Sequence, residues 1–209
     1  MSHKIKAFKS AIFISAILTV VAIISFAFEP IKPKKVVEIH PEKVSIADKK
    51  ASQVAFLKAY KVLMHPRCMN CHPAGDVPLQ GEKSTLHTMG VKRGPEGKGV
   101  FAMKCTNCHQ EKNVPGLHMP PGNSKWLLPP ADMKMVFQGK TPKQLATQLK
   151  DRTKNGNKSL EELVEHVTHD DLVLAGWRPA DGLKKPSVSH AEFAKNFTEW
   201  IRKGAAIPD

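Results

Sequence analysis

The stretches CMNCH (residues 68–72) and CTNCH (residues 105–109) repeat one pattern, in which two cysteines at positions i and i+3 are followed at once by a histidine. On a helical turn, residues i and i+3 lie on one face and residue i+4 lies beside them. Two thiols at this spacing can form thioethers to the two vinyl groups of one haem, and the adjacent imidazole reaches the iron. The pattern predicts two covalently attached c-type haems. The attachment residues are Cys68, Cys71, Cys105 and Cys108, and the proximal iron ligands are His72 and His109.

Other uses of paired cysteines fit the sequence less well. Four cysteines in two CxxC pairs can bind structural zinc, but a Cys₄ zinc site requires neither histidine. Because histidine makes up only ten of the 209 residues, its presence after both pairs is not expected by chance. A thioredoxin-like dithiol would need a βαβ setting, and no strand alternation of useful length is present. Free thiols in an oxidising compartment would be oxidised, whereas thioether formation consumes them.

Each predicted iron also needs a ligand on its other face. Met119 lies in GLHMPPG (residues 116–122) and resembles the Met-Pro loop that supplies the distal ligand in class I cytochromes c. It follows the first proximal histidine by 119 − 72 = 47 residues and the second by only ten. His87 lies between the two attachment sites and can serve either iron. We predict His87 and Met119 as distal ligands, with His118, His166 and His169 as alternatives.

The N-terminal part differs from the rest of the chain. Lys4, Lys6 and Lys9 precede an uncharged apolar run at residues 11–28, which is typical of a cleaved export signal or a retained membrane anchor. Both alternatives place the remainder outside the cytoplasm, because lysine-rich flanks stay inside. We expect a signal or anchor at residues 1–28, a Pro/Lys-rich tether at 29–44 and a di-haem domain at 45–209. The domain is expected in the periplasm, soluble after signal cleavage or tethered to the inner membrane.

In residues 45–209, the apolar spacing, the helix caps and the distribution of proline and glycine predict an all-α fold with long ordered loops. Residues 46–64 lack proline and glycine, and their apolar spacing predicts an amphipathic helix. Residues 66–142 hold ten of the 16 prolines and nine of the 13 glycines, so regular elements there must be short. Three further helices are predicted after the N-cap signals Thr141, Ser159 and Ser189. The expected buried positions of the first helix are Ala51, Val54, Ala55, Tyr60, Val62 and Leu63.

Longer stretches carry a family resemblance. They are HPRCMNCHPAGDVPLQG (65–81), VKRGPEGKG (91–99), CTNCHQEKNVPGLHMPPG (105–122), WLLPP (126–130), QLKDRTKNG (148–156), EHVTHDDLVLAGW (165–177) and SHAEF (189–193). Covering roughly residues 50–205, they resemble a small family of di-haem cytochromes often labelled as isoquinoline 1-oxidoreductase subunits. The resemblance implies a class I-like cytochrome c that takes electrons from a periplasmic molybdenum hydroxylase or similar dehydrogenase and passes them to a downstream acceptor. Only the six haem-attachment residues are carried over from it.

Composition and charge limit the function classes. A multi-span membrane protein is excluded because there is only one long apolar run. The formal net charge of +13 would help the protein meet an acidic partner or anionic lipid head groups, but a solvated lysine-rich surface with no specific partner is the preferred interpretation. Export argues against nucleic-acid binding. We expect an electron-transfer protein, not an enzyme by itself, acting as a subunit or partner of an oxidoreductase. The alternative is a di-haem peroxidase-like or dehydrogenase-like enzyme with an open iron, and it would need acid–base groups beside that iron. For that role the sequence offers Glu96, Glu111, His166 and His169.

Overall fold

The computed structural model of the chain describes residues 45–209, and the predicted signal or anchor and the tether lie outside these residues. The described part is mostly helical. Its helices are α1 (Ile46–Leu63), α2 (Pro66–Met69), α3 (Pro142–Lys150), α4 (Leu160–His169), α5 (Asp171–Ala175) and α6 (His190–Arg202). Within residues 45–209, none of these helices is long and apolar enough to cross a membrane.

Two small antiparallel hairpins accompany the helices. Strand β1 (Leu79–Gln80) pairs with β2 (Thr85–Leu86), and β3 (Gly99–Val100) pairs with β4 (Met103–Lys104). The predicted helical class is therefore confirmed, but the expectation of a wholly α fold missed these hairpins. Each strand has two residues, which is too short to produce the apolar–polar alternation by which strands are read from sequence.

The predicted helix starts are confirmed by their capping bonds. Thr141 and Ser159 each accept the backbone N–H of the residue three positions on, and each receives the reciprocal side-chain contact of a capping box. At Ser189 the side chain accepts the N–H of Glu192 at 3.2 Å. These bonds satisfy N–H groups that have no partner within the helix, which explains why the helices begin at these residues.

The first helix departs from the predicted buried face at several positions. Phe56 and Ala59 are fully buried, although neither is among the predicted positions. Val54 is 46% exposed, and Ser52 is fully buried instead. The Ser52 hydroxyl donates to the carbonyl of Trp200 at 2.7 Å and accepts from the N–H of Ala206 at 2.9 Å. Burial of a hydroxyl is tolerated here because both of its hydrogen-bonding functions are used. The tertiary partner on α6 therefore sets the rotation of α1.

The helical core is formed by α1, α3, α4 and α6. Helix α1 packs against α6 and α3, and α4 packs against α6. At its centre the rings of Phe56 and Trp200 have centroids 4.7 Å apart, and Trp200 is fully buried. The buried members of this cluster come from residues 55–63 and 137–205, while Cys68 and Met135 pack against its edge as partly buried side chains. The core thus borders the first CxxCH turn.

The loop region between α2 and α3 is held by backbone hydrogen bonds. The N–H of Leu128 donates to the carbonyl of Gly97 at 2.9 Å. Gly97 has φ +76°, and a Cβ there would lie 1.9 Å from the Leu128 carbonyl oxygen. Only glycine permits this approach, because any side chain would meet backbone atoms. The N–H of Cys105 donates to the carbonyl of Lys98 at 3.0 Å. The loop that contains Gly97 and Lys98 is therefore bonded directly to the second CxxCH turn.

Candidate functional site

The first CxxCH motif forms one turn of helix. His65 caps α2 by accepting the N–H of Arg67 at its Nδ1, 3.2 Å away, and Pro66 occupies the first turn. The turn continues through bonds from Cys71 N to Cys68 O (3.2 Å) and from His72 N to Met69 O (2.9 Å). The motif is therefore on a single turn, as the spacing predicts.

Burial keeps the thiols of this turn protonated. It raises the pKa of Cys68 to about 12 and that of Cys71 to about 11. Reactive and metal-binding cysteines act as thiolates, which these surroundings disfavour. All four cysteines of the chain lie within the described residues and are free thiols.

The imidazole of His72 is held in one tautomer. Its Nδ1 lies 2.7 Å from the carbonyl oxygen of Met135. Because a carbonyl oxygen only accepts, Nδ1 carries the proton and Nε2 keeps a free lone pair. The ring stacks on Phe137 with centroids 3.9 Å apart and planes 9° apart. Burial lowers the pKa of His72 to about 4, so the imidazole is neutral, as a metal ligand must be.

The second CxxCH motif lies on a tighter turn with the same chemistry. Residues Cys105–Asn107 form a 3₁₀ turn, and His109 N donates to Cys105 O at 3.0 Å. The Nδ1 of His109 donates to the carbonyl of Pro121 at 2.7 Å. The imidazole stacks on Trp126 with centroids 4.0 Å apart and planes 11° apart. Burial lowers the pKa of His109 below the usual value.

The two motifs therefore share an arrangement that neither sequence pattern specified. In each, a backbone carbonyl accepts the Nδ1 proton and an aromatic ring lies flat against the imidazole. A hydrogen bond of this kind orients a metal-binding histidine and raises its basicity. The residues suit haem, since each site presents two thiols and one neutral imidazole with a free Nε2. The sequence did not predict that the carbonyls of Met135 and Pro121 accept the imidazole protons. It also did not predict that Phe137 and Trp126 stack on the imidazoles, although aromatic residues in Pro-rich loops are a weak signal of such stacking.

Arg93 links the surroundings of the two motifs. Its side chain is 1% exposed in total, and its guanidinium donates to the carbonyls of Gly75 (3.1 Å) and Pro129. Gly75 follows the first motif, and Pro129 lies near Trp126 of the second. The Nε of Arg93 has no hydrogen-bond partner and lies 3.8 Å from the Asp76 carboxylate. A buried cation therefore stands close to the first motif, where its charge acts on Cys71 and His72. No feature of the sequence indicated that this arginine is buried.

The predicted distal ligands have different surroundings. The half-buried ring of His87 has its centroid 6.4 Å from that of His109, with planes 59° apart. Met119 is 38% exposed, and its Cγ lies against Gly116. The structure thus brings His87 to a proximal imidazole, while Met119 is on an exposed loop near Pro121.

The three alternative ligands are placed as follows. His118 is exposed and has φ +65°. The Nδ1 of His166 lies 3.4 Å from Asp170 Oδ2, and its ring is near enough to His72 for its charge to contribute to the lowered pKa of His72. The Nδ1 of His169 lies 3.0 Å from Glu165 Oε2, and this side chain is 61% exposed. Of the three, His166 is the one whose charge reaches a proximal histidine.

A zinc cluster is not formed by the cysteines. Across residues 45–209, no three side chains of histidine, cysteine, aspartate or glutamate are gathered in a way that would hold a metal ion. A structural zinc site needs four such ligands together. A haem iron is held by its porphyrin and takes only two axial ligands from protein, so the separated motifs remain compatible with it.

Comparisons with known proteins add no family assignment. The resemblance to di-haem cytochromes rests on the quoted stretches alone, and function has to be argued from the geometry of the two turns. No protein-family model, no curated protein and no solved structure matches the chain.

Proposed function

We propose that the chain is an exported di-haem c-type cytochrome that transfers electrons. The observation that supports this most strongly is the repeated environment of His72 and His109. Each imidazole is neutral, donates its Nδ1 proton to a backbone carbonyl, stacks on an aromatic ring and follows two thiols at thioether spacing. Such an arrangement leaves Nε2 as a preset axial ligand, since the tautomer and the ring orientation are both determined.

The residues of each proposed haem site have separate roles. Cys68 and Cys71 would hold one haem beside His72, and Cys105 and Cys108 would hold the second beside His109. Bound haem supplies a centre that gains and loses one electron reversibly. The carbonyls of Met135 and Pro121 make their imidazoles more basic, which stabilises the oxidised iron.

The two motifs approach each other at Cys71 and Cys105. These side chains are near enough that ionisation of the Cys105 thiol would raise the pKa of Cys71. The buried guanidinium of Arg93 also acts on Cys71 and His72. A fixed positive charge at this place disfavours the more positive, oxidised state of a neighbouring iron and raises its potential. Neighbouring centres with different surroundings suit stepwise electron transfer.

The second motif also borders a lysine-rich surface. A cavity of about 500 Å³ is lined by Thr106 of this motif and by Trp126, together with Glu96, Lys98, Lys104 and Lys125. Lys98 is paired with Glu96 at 3.1 Å and Lys125 with Asp171 at 3.7 Å. Ammonium groups beside a redox site steer an acidic partner protein toward it. We place the exchange of electrons with a periplasmic oxidoreductase, of the molybdenum hydroxylase or dehydrogenase class, at this surface.

The enzyme alternative receives less support from the described residues. Glu96 is 74% exposed and paired with Lys98 at 3.1 Å. Glu111 is exposed, and His169 is paired with Glu165. His166 is the one candidate whose charge reaches a proximal histidine, His72, and its Nδ1 lies 3.4 Å from Asp170 Oδ2. General acid–base catalysis needs such a group within hydrogen-bond reach of the reacting atoms, and exposed groups paired with neighbours are not arranged for it. A carrier needs no such group.

Haem content and reactivity test the proposal in one preparation. The full chain, produced with a c-type maturation system, should contain two covalent haems by pyridine haemochrome assay and intact mass. The variants C68A/C71A and C105A/C108A should each retain one. The reduced wild type should show no peroxide turnover. Protein without haem, or with zinc instead, would contradict the proposal, and rapid peroxide turnover would replace the carrier with the enzyme.

A further inference from the structure

We propose that His87 is the second axial ligand of the iron bound by His109, so that this site is a bis-histidine haem. The inference rests on the proposed function, because it concerns the ligands of a haem attached at Cys105 and Cys108. The sequence allows His87 to ligate either of the two irons, and we assign it to the iron bound by His109.

The separation of the two rings fits a shared metal. Bonds between a metal and histidine nitrogen are about 2.0–2.1 Å long. In a five-membered ring with bonds of about 1.33 Å, each atom lies about 1.1 Å from the centre. Two imidazoles on opposite sides of one metal therefore have centroids about 6.3 Å apart. The His87 and His109 centroids are 6.4 Å apart.

The hydrogen bonds of both rings leave the nitrogen that ligation requires. The Nδ1 of His87 donates to the carbonyl of Thr88 at 2.8 Å, and that of His109 donates to the carbonyl of Pro121 at 2.7 Å. An imidazole that carries its single ring proton at Nδ1 has no further N–H to offer the other ring. Each retains one free lone pair at Nε2, and a metal between the rings would use both lone pairs.

The path of the chain explains how His87 reaches this position. The N–H of His87 donates to the carbonyl of Pro78 at 2.8 Å, which continues the β1–β2 pairing. The hairpin is attached to the first CxxCH turn by bonds from Leu79 N to Asn70 O (3.1 Å) and from Asn70 Nδ2 to Gly81 O (3.0 Å). A hairpin fastened to the first motif therefore carries an imidazole to the second.

Met119 is not placed to be the second ligand of the iron bound by His109. It is two residues from Pro121, whose carbonyl is bonded to the Nδ1 end of the His109 ring. Nδ1 points away from the metal that Nε2 would bind, so this loop is held on the proximal side. The 38% exposure of Met119 agrees with a place outside the second site.

Two properties follow from bis-histidine ligation of the second haem. Both axial positions are filled, so small ligands such as carbon monoxide do not bind unless His87 leaves. The potential of this haem is lower than it would be with a methionine ligand. Since the hairpin of the first motif supplies the ligand, a change in that hairpin should disturb the second haem.

The experiment compares H87A with H118A in the full, haem-loaded chain. His118 is an exposed histidine and serves as the matched control. We expect H87A to retain two covalent haems, to bind one more carbon monoxide per reduced chain than the wild type, and to lose the bis-histidine magnetic circular dichroism band of one haem. Added imidazole should restore that band. H118A should behave as the wild type.

A measurement on the wild type tests the inference without relying on a substitution. In the reduced, diamagnetic protein, nuclear Overhauser effects should connect the His87 ring with the haem that bears the Cys105 and Cys108 thioethers. Contacts to the haem on Cys68 and Cys71 would overturn the assignment. Unchanged ligation in H87A would also overturn it, as would an M119A variant in which the haem on Cys105 and Cys108 loses its second axial ligand. A chain without haem would instead overturn the proposed function, and haem counting distinguishes the two failures.

Discussion

The two CxxCH turns present the same groups but are supported by different parts of the molecule. At the first turn, the stacking partner Phe137 is 5% exposed and belongs to the helical core formed around Phe56 and Trp200. At the second, Trp126 is only partly buried, and it lies in a loop held by backbone bonds from Trp126 N to Asn123 O and from Leu128 N to Gly97 O. The first site is thus part of the apolar core, whereas backbone hydrogen bonds and close contacts form the second.

The same local motif is therefore stabilised in two different ways within one molecule. Burial of apolar side chains contributes in proportion to the area removed from water, so the first turn gains from the whole core. The second turn depends on a few backbone contacts that tolerate little change, of which the approach of Gly97 to Leu128 is the tightest. We therefore expect substitutions at the two sites to differ in size and in how far their effects extend.

The largest effect is expected from the matched pair F137A and W126A. F137A should lower the free energy of unfolding by about 3–5 kcal/mol, because it empties a core position. W126A should cost only about 0.5–1.5 kcal/mol, the contribution of a stacked pair, because its ring is already partly hydrated. Denaturant unfolding followed by far-ultraviolet circular dichroism measures both. Equal losses would show that the second site belongs to the same core.

A smaller effect is expected from G97A. At φ +76° and 1.9 Å from the Leu128 carbonyl oxygen, a new Cβ forces the loop to move, at a cost of about 1–3 kcal/mol. Hydrogen exchange should show faster exchange at the Leu128 amide and unchanged protection in α1 and α6. The control is G75A, since a Cβ at Gly75 meets no atom within 4 Å. Loss of protection throughout α1 would argue against separate support of the two sites.

The smallest expected effect is on the pH dependence of the free energy of unfolding, to which Glu162 contributes. The N–H of Ser159 donates to the Glu162 carboxylate at 2.7 Å and lowers the pKa of Glu162 below its ordinary value of 4.5. A carboxyl with a lowered folded-state pKa stabilises the fold above its unfolded pKa, and the contribution is lost as pH falls through the folded value. E162Q should therefore flatten the decline in stability below about pH 4.5.

The control for this titration is E161Q, because Glu161 is a neighbouring acid outside the capping box. Both variants are followed by thermal unfolding across the acid range and by proton signals of the two stacked imidazoles. Since α4 packs against the helical core, E162Q should leave the signals of His109 and Trp126 unchanged. An equal response at the second site would show that the two regions respond to acid as one unit.

Much of the helical part was predictable because its signals are local. The caps at Thr141, Ser159 and Ser189 lie within three residues of the groups they satisfy, and they mark the helix starts correctly. The hairpins were not predictable, since two-residue strands leave no pattern. Nor was the rotation of α1, because the bonds of Ser52 are made with residues 148 and 154 positions further along the chain.

The features of the candidate site also fall into two groups, those that local spacing predicts and those that depend on contacts between distant residues. Local spacing was enough to predict that each pair of thiols lies with an imidazole on a single turn, because spacings of three and four residues are set by helical geometry. Tertiary structure alone decided which carbonyl holds each imidazole, as the bond between His72 and Met135 spans 63 residues. It also decided that the rings of His87 and His109 have centroids 6.4 Å apart and that Arg93 is buried beside the first motif, where it donates to the carbonyl of Gly75. These contacts depend on the path of the whole loop region, and no short pattern of residues encodes that path.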